Sequence, residues 1–206
     1  MKKVNVGIDF GTSCSVVSAF DRSSGKAVVL KNEYGNNSTP SAVCIENGSI
    51  LIGEDARREL TLENPNVIAF YKGMLGEVDY TVYLDGYEYT PEDLSAIFLG
   101  ELKKKIERAN GVEISGAVVT IPAYFGANKK MAMMKACKKA DINVIRFIAE
   151  PVAAIMARGL AEMEEKHVLI YDLDEVTFDE FDELSLLDDD SNGPFICEEV
   201  SLSPLP

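Results

Sequence analysis

Gly7-Ile8-Asp9-Phe10-Gly11-Thr12-Ser13 is the stretch on which the fold turns. An apolar run that begins near Val4 ends in a carboxylate, Asp9, and the chain then reverses through Gly11 into two hydroxyl residues. A turn of this composition can present backbone N–H groups and hydroxyls to a phosphate, while the strand-end carboxylate beside it holds a hydrated divalent cation. Gly11, Thr12 and Ser13 are therefore candidate phosphate ligands, and Asp9 a candidate metal-side carboxylate. Neither GxxxxGK[ST] nor GxGxxG occurs, so the P-loop and dinucleotide fingerprints have no support. Alone, the seven residues also describe an ordinary strand-turn-strand, and the surroundings must decide.

Outward from this stretch, Val4–Asp9, Ser15–Phe20 and Lys26–Leu30 read as an antiparallel meander, with GTS and DRSSG as turn chemistry. SAVCI and SILIG flank Glu46-Asn47-Gly48, and Tyr80–Leu84 faces Tyr87–Tyr89 across Asp85-Gly86, which predicts two hairpins. Thr90 suits an N-cap, Pro91 the first helical position, and Glu92 and Asp93 the positive helix start. A helix is expected from there to about Ala109, stopped by Asn110-Gly111, with Leu94, Ile97, Phe98, Leu102 and Ile106 on its buried face. The pattern then alternates: strand Ala117–Ile121, helix Ala127–Ala140, strand Val144–Ile148, helix Val152–Leu160, strand Val168–Asp172. Such alternation specifies an α/β fold with a partly parallel sheet. Leu184–Leu187 and Phe195–Cys197, separated by DDDSNGP, form a further hairpin candidate.

The chain has 206 residues, 47% of them hydrophobic, and a formal charge of -14. Every Lys and Arg lies at or before Lys166, so the body is nearly neutral and the end acidic. That distribution argues against a nucleic-acid surface, which needs a basic footprint. No apolar stretch approaches the roughly eighteen residues of a membrane span, and MKKVNVGIDFG enters a strand pattern in place of a signal-peptide core, so a cytoplasmic location is expected. Cys14, Cys44, Cys137 and Cys197 contain no CxxC pair and read as reduced, mostly buried thiols. The methionines and lysines of KKMAMMKACKK read as core side chains and solvated charges on one helix.

Further blocks stand in order behind GIDFGTS: NNSTPS at 36–41, PAYF at 122–125, EPVAA at 150–154 and YDLDEVTFD at 171–179. Together they resemble the signature blocks of the seventy-kilodalton heat-shock protein family, the DnaK-type chaperones, over residues 3 to about 200. The resemblance implies an actin-like ATPase fold in which two lobes, each on a ribonuclease-H-like sheet, close over Mg-ATP. Residues 1–40 and 112–170 would form the sheet subdomain of the first lobe, 41–111 a smaller inserted subdomain, and 171–206 the beginning of the second lobe. The adenosine pocket and the peptide-binding domain would lie beyond this chain, leaving it weak in nucleotide binding and inactive alone.

Carried over by position, the resemblance makes Gly11, Thr12 and Ser13 the first phosphate loop and Asp9 a magnesium-side carboxylate. Lys72, in FYKGMLG, would place charge beside the γ-phosphate, with Gly73 where an Arg is often found. Glu150 would link nucleotide state to hydrolysis, Asp172 would be the second magnesium-side carboxylate, and Thr177 and Asp179 would close the second phosphate motif. ATP or ADP and Mg2+ are the implied cofactors. J-domain co-chaperones and nucleotide exchange factors are the implied partners, with unfolded peptides bound only through the missing domain and neither nucleic acid nor membrane involved.

One departure stands out. Where the family has three consecutive glycines, this chain has Asp174, Glu175 and Val176. Glycine there would admit the backbone close to phosphate and take φ > 0 cheaply, whereas two like unit charges 4 Å apart repel by about 4 kcal/mol in a partly solvated site. Three readings result: an ATP-binding part of a chaperone ATPase, a degenerate non-hydrolysing interaction module, and a two-metal nuclease using strand-end carboxylates. GTS after Asp9, Lys72 and the acidic balance speak against the nuclease.

Overall fold

The computed structural model describes residues 1–157 and, beyond them, the backbone at 169–170 and 197–198. It comprises two compact units, residues 1–149 and 150–206. In chain order, the first unit runs through β1 (Lys2–Phe10), β2 (Cys14–Asp21), β3 (Lys26–Val29), β4 (Thr39–Pro40), β5 (Val43–Glu46), β6 (Ser49–Ile52), α1 (Glu54–Thr61), β7 (Val67–Ile68) and a 3-10 turn (Tyr71–Met74). It continues with β8 (Val82–Leu84), β9 (Tyr87–Tyr89), α2 (Pro91–Asn110), β10 (Val112–Ile121), α3 (Ala127–Lys139) and β11 (Val144–Ala149). The second unit contributes α4 (Glu150–Ala157) and two short strands, β12 (Leu169–Ile170) and β13 (Cys197–Glu198), paired antiparallel.

The main sheet has the order β11-β10-β1-β2-β3, with the short β4 paired beside β2. β1, β10 and β11 are mutually parallel, and the β1-β2-β3 meander is antiparallel. This is the ribonuclease-H-like arrangement. Its cause lies in period-two burial along β1, where Val6, Ile8 and Phe10 enter the core while Gly7 and Asp9 face the other side. β10 carries a bulge: its register against β1 slips between Val4 and Asn5, so Ile114 and Ala117 both reach the core with Ser115 between them unmatched. That broken alternation is why the sequence pattern reveals the strand only from Ala117 onward.

α2 packs its Leu94, Phe98, Leu99, Leu102 and Ile106 into the core, and the Phe98 ring stacks on Phe10 with centroids 5.7 Å apart. Its ends follow local chemistry. The Thr90 hydroxyl accepts from the Asp93 N–H while the Asp93 carboxylate accepts from the Thr90 N–H, a reciprocal cap. At the far end Gly111 takes the left-handed conformation, φ 63°, that closes a helix without a Cβ clash. The DRSSG turn is likewise self-satisfied, since hydrogen bonds from Ser23 and Ser24 hold the Asp21 carboxyl down to about 2.

Residues 41–89 form a second, three-stranded sheet, β6-β5-β7, and the separate β8-β9 hairpin. The two hairpins expected in this stretch are present, turning at Asn47-Gly48 and Asp85-Gly86, where all four residues have positive φ; the further candidate, Leu184–Leu187 with Phe195–Cys197, lies outside the described residues except for Cys197, which pairs with Ile170. Helix α1, eight residues of mostly charged composition, is not expected from the sequence and has Ala56 as its single buried residue. The KKMAMMKACKK helix departs from the sequence expectation: Met133 is fully buried, but Met131 and Met134 are more than half exposed. Cys44 and Cys137 are buried thiols as expected, and Cys14 is half-buried. Cys197 belongs to the stretch whose side chains lie outside the described residues.

Candidate functional site: the turn after β1

Asp9 is the penultimate residue of β1, on the face opposite the α2 core. Ile8 pairs with Val119 of β10, which brings Thr120 alongside Asp9, and the Thr120 hydroxyl donates to Asp9 Oδ1 at 2.6 Å. Among the described residues the other carboxylate oxygen accepts no hydrogen bond. One oxygen fixed and one open suits a carboxylate that holds a hydrated cation through water. No cluster of three or more His, Cys, Asp or Glu side chains among the described residues forms an all-protein metal cage. A magnesium ion carried mainly by phosphate and water fits this sparse donor set better than a structural metal does.

Gly11, Thr12 and Ser13 form the tight link from β1 to β2. What shapes it is Ser41, buried at 2% exposure, which immediately follows β4. The Ser41 N–H donates to the Ser13 carbonyl at 2.8 Å and its hydroxyl donates to the Gly11 carbonyl at 2.8 Å. With that proton committed, the buried Ser15 hydroxyl, 2.9 Å away, donates to Ser41 in turn. Two turn carbonyls are thereby held on the Ser41 side. Among the described residues, the N–H groups of Thr12 and Ser13 donate to no backbone carbonyl. Carbonyls tied down with N–H groups left over is the polarity an anion-binding turn requires.

Lys72 arrives from the 3-10 turn Tyr71–Met74 and is buried at 3% exposure. Its ammonium lies over the ring of Phe10, 5.6 Å from the centroid. Phe10 separates Asp9 from Gly11 in the chain, so the structure brings Lys72 to the same end of β1 as the carboxylate and the turn. A solvated surface lysine is excluded by this burial. Glu150 opens α4, directly after β11, and sits in the first helical turn with Pro151, two residues earlier than the periodicity of the sequence suggests. Asp172, Thr177 and Asp179, with the Asp174-Glu175-Val176 departure, lie outside the described residues.

Sequence reasoning passed over Ser41, Thr120 and Phe10. Ser41 is the last residue of the quoted NNSTPS block, but nothing in a linear reading ties it to Gly11 thirty positions away. Thr120 was legible only as part of a strand.

A family model for the Hsp70 proteins matches residues 5–188. Among curated proteins, the chaperone protein DnaK of Mycoplasmopsis pulmonis (strain UAB CTIP) is 43% identical over 179 residues, a match covering 86% of this chain and 29% of that protein. The DnaK of Mycoplasmopsis agalactiae (strain NCTC 10123 / CIP 59.7 / PG2) is 40% identical over 179 residues, with the same shares of 86% and 29%. The chain thus spans under a third of the length of these relatives.

Proposed function

The chain belongs to the Hsp70 protein family, with its actin-like ATPase fold, and on that premise we propose that residues 1–149 carry the phosphate and magnesium side of an ATP site. The observation that supports this most directly is the convergence at one end of β1 of Asp9, a turn with its carbonyls tied to Ser41, and the buried Lys72. Gly11, Thr12 and Ser13 hold phosphate oxygens through N–H groups and hydroxyls, and Asp9 holds Mg2+ through water. Bound Mg2+ supplies charge neutralisation of the phosphates. Lys72 adds a fixed positive charge, whose value is greatest where negative charge develops during phosphoryl transfer.

By family resemblance, Asp172 is assigned to magnesium, Thr177 and Asp179 to phosphate, and Glu150 to the coupling of nucleotide state with hydrolysis. Residues 1–40 and 112–170 are assigned to one sheet subdomain, 41–111 to an insertion within it, and 171–206 to the start of the second lobe. Coupling of hydrolysis to unfolded-peptide binding, partnership with J-domain proteins and nucleotide exchange factors, and a cytoplasmic setting are proposed for the whole protein on the same ground. Among the described residues, no helix is long and apolar enough to cross a membrane.

The test is calorimetric titration with ATP and ADP, with and without Mg2+, on the unmodified chain and on Asp9→Asn. Binding that depends on Mg2+ and weakens at least tenfold in Asp9→Asn is expected. Affinity indifferent to both changes would refute the assignment. A second reading, a degenerate interaction module that does not hydrolyse ATP, is favoured by one specific feature, the acidic Asp174-Glu175 pair in place of glycine. Phosphate release from a chimera in which the chain is completed with a related second lobe separates the two.

A further inference from the structure

Lys129 occupies a position that its own helix disfavours. It lies in the first turn of α3, which has no acidic residue there and no side-chain N-cap on Gly126. A cation at a helix start opposes the exposed N–H dipoles, so something outside the helix must offset that cost. The described contacts supply it. The Lys129 ammonium donates to the Gly73 carbonyl at 2.8 Å, lies 5.9 Å and 5.7 Å from the ring centroids of Tyr124 and Phe125 in the PAYF segment, and stands 3.8 Å from Glu77 Oε1.

Gly73 directly follows Lys72. The segment carrying both has little regular structure of its own. Phe70, which precedes the 3-10 turn, and Gly76, which follows it, are both left-handed, at φ 60° and 80°. A non-glycine residue in that region persists only where its surroundings hold it. Gly76 also lies flat on the start of α3: a Cβ there would stand 3.2 Å from Lys129 Cα and N, with a positive φ that adds its own strain. The backbone of Lys129 thus receives one side of the segment and its side chain grips the other.

We propose that Lys129 is a positioning residue for Lys72, clasping the Phe70–Glu77 segment onto the PAYF segment so that the Lys72 ammonium is held over Phe10 beside the phosphate turn. Lys129 itself touches no nucleotide in this scheme. Its relevance to phosphate chemistry rests on the function proposed above, whereas the clasp is a property of the nucleotide-free protein and is tested there.

The experiment uses the full chain labelled with 13C,15N-lysine, without nucleotide. With the Lys72 ammonium 5.6 Å from the Phe10 centroid, the ring current is expected to displace the Lys72 side-chain signals, which Lys72→Arg identifies by their disappearance. In Lys129→Met these signals are expected to move toward the positions of exposed lysines. The amides of Leu75 and Glu77, which donate to Lys72 and Met74 carbonyls, are expected to lose at least tenfold in exchange protection. The amides of Leu99 and Leu102 in the core of α2 should change much less, which distinguishes local release from general loss of stability. Lys129→Arg should restore both readouts, because a guanidinium can donate to the Gly73 carbonyl and stack on the two rings.

Unmoved Lys72 signals in Lys129→Met, or failure of Lys129→Arg to restore them, would overturn the clasp. Should Lys129→Met not fold, the unmodified protein still decides: Leu75 and Glu77 amides exchanging at unprotected rates would also overturn it, and protection of tenfold or more would sustain it. Titration of the unmodified chain with Mg-ATP then keeps the two proposals apart. An intact clasp without nucleotide binding would sink the assigned function and leave the clasp standing.

Discussion

Ser41 shows how much one side chain can organise. Its hydroxyl satisfies the Gly11 carbonyl and receives the buried Ser15 hydroxyl, while the bond to the Ser13 carbonyl comes from the backbone N–H, so Ser41→Ala deprives the first two groups of a partner and keeps the third. Such losses cost about 1–3 kcal/mol, and chemical denaturation should show a decrease of that size, accompanied by weaker Mg-ATP binding as the turn loosens. Unchanged stability would mean that the turn does not depend on this brace. A second residue-scale expectation concerns pH. Burial pushes the Cys137 thiol up to about 12, so the folded chain keeps a proton that the unfolded chain begins to release near pH 9. The stabilisation from this group is complete below pH 9 and is lost between pH 9 and 12, at up to about 1.4 kcal/mol per pH unit. Burial of Tyr71 raises its hydroxyl well above 10 and acts in the same sense at higher pH. Stability measured against alkaline pH should fall less steeply in Cys137→Ala, and equal slopes would contradict the assignment.

At the scale of elements, α2 connects the core to the site, since its Phe98 stacks on Phe10, the ring beneath Lys72. The start of this helix is set by the Thr90–Asp93 capping box and by Lys139 of α3, which bonds Glu92 and Asp93 at 2.9 Å each. Burial alone would raise the Asp93 carboxyl, but hydrogen bonds from Thr90 and Lys139 outweigh it and leave the group below its ordinary value. The cap is therefore intact above the ordinary carboxyl range and weakens as pH falls into it. Thr90→Ala should cost about 1 kcal/mol, read as a lowered denaturation midpoint with an unchanged slope, and Thr90→Ser should recover most of it. A loss below about 0.3 kcal/mol would show that the Lys139 contacts suffice without the cap.

For the whole molecule, the distinguishing feature of the sequence is Asp174, Glu175 and Val176, residues outside those the structure describes. If these residues face phosphate, replacing all three with glycine relieves charge repulsion and frees the backbone. Even 1.4 kcal/mol of relief is tenfold in affinity, so Mg-ATP binding should tighten by a factor of ten or more, and the gain should shrink at high salt as the repulsion is screened. Val176→Gly alone should gain much less because both charges remain. Equal affinity in all three proteins would mean that this turn does not meet the phosphates.

The sequence by itself determined the elements whose causes are local. The β1-β2-β3 meander, both hairpins, α2 with its cap and stop, and the strand-helix alternation after residue 112 follow from periodicity, turn residues and capping chemistry acting within a few positions. GIDFGTS likewise announced a strand-end carboxylate beside a tight turn. Only the tertiary structure decided what rests on contact between distant segments. The bulge at Ser115 restores the core face of β10 only against β1, and Thr120 finds Asp9 only through strand pairing. Lys72 is buried, although nothing in FYKGMLG distinguishes it from a surface lysine, because packing places its turn against Phe10 on one side and Lys129 on the other. A side chain's burial and hydrogen-bond partners depend on which segments the fold brings together, and no local pattern encodes them.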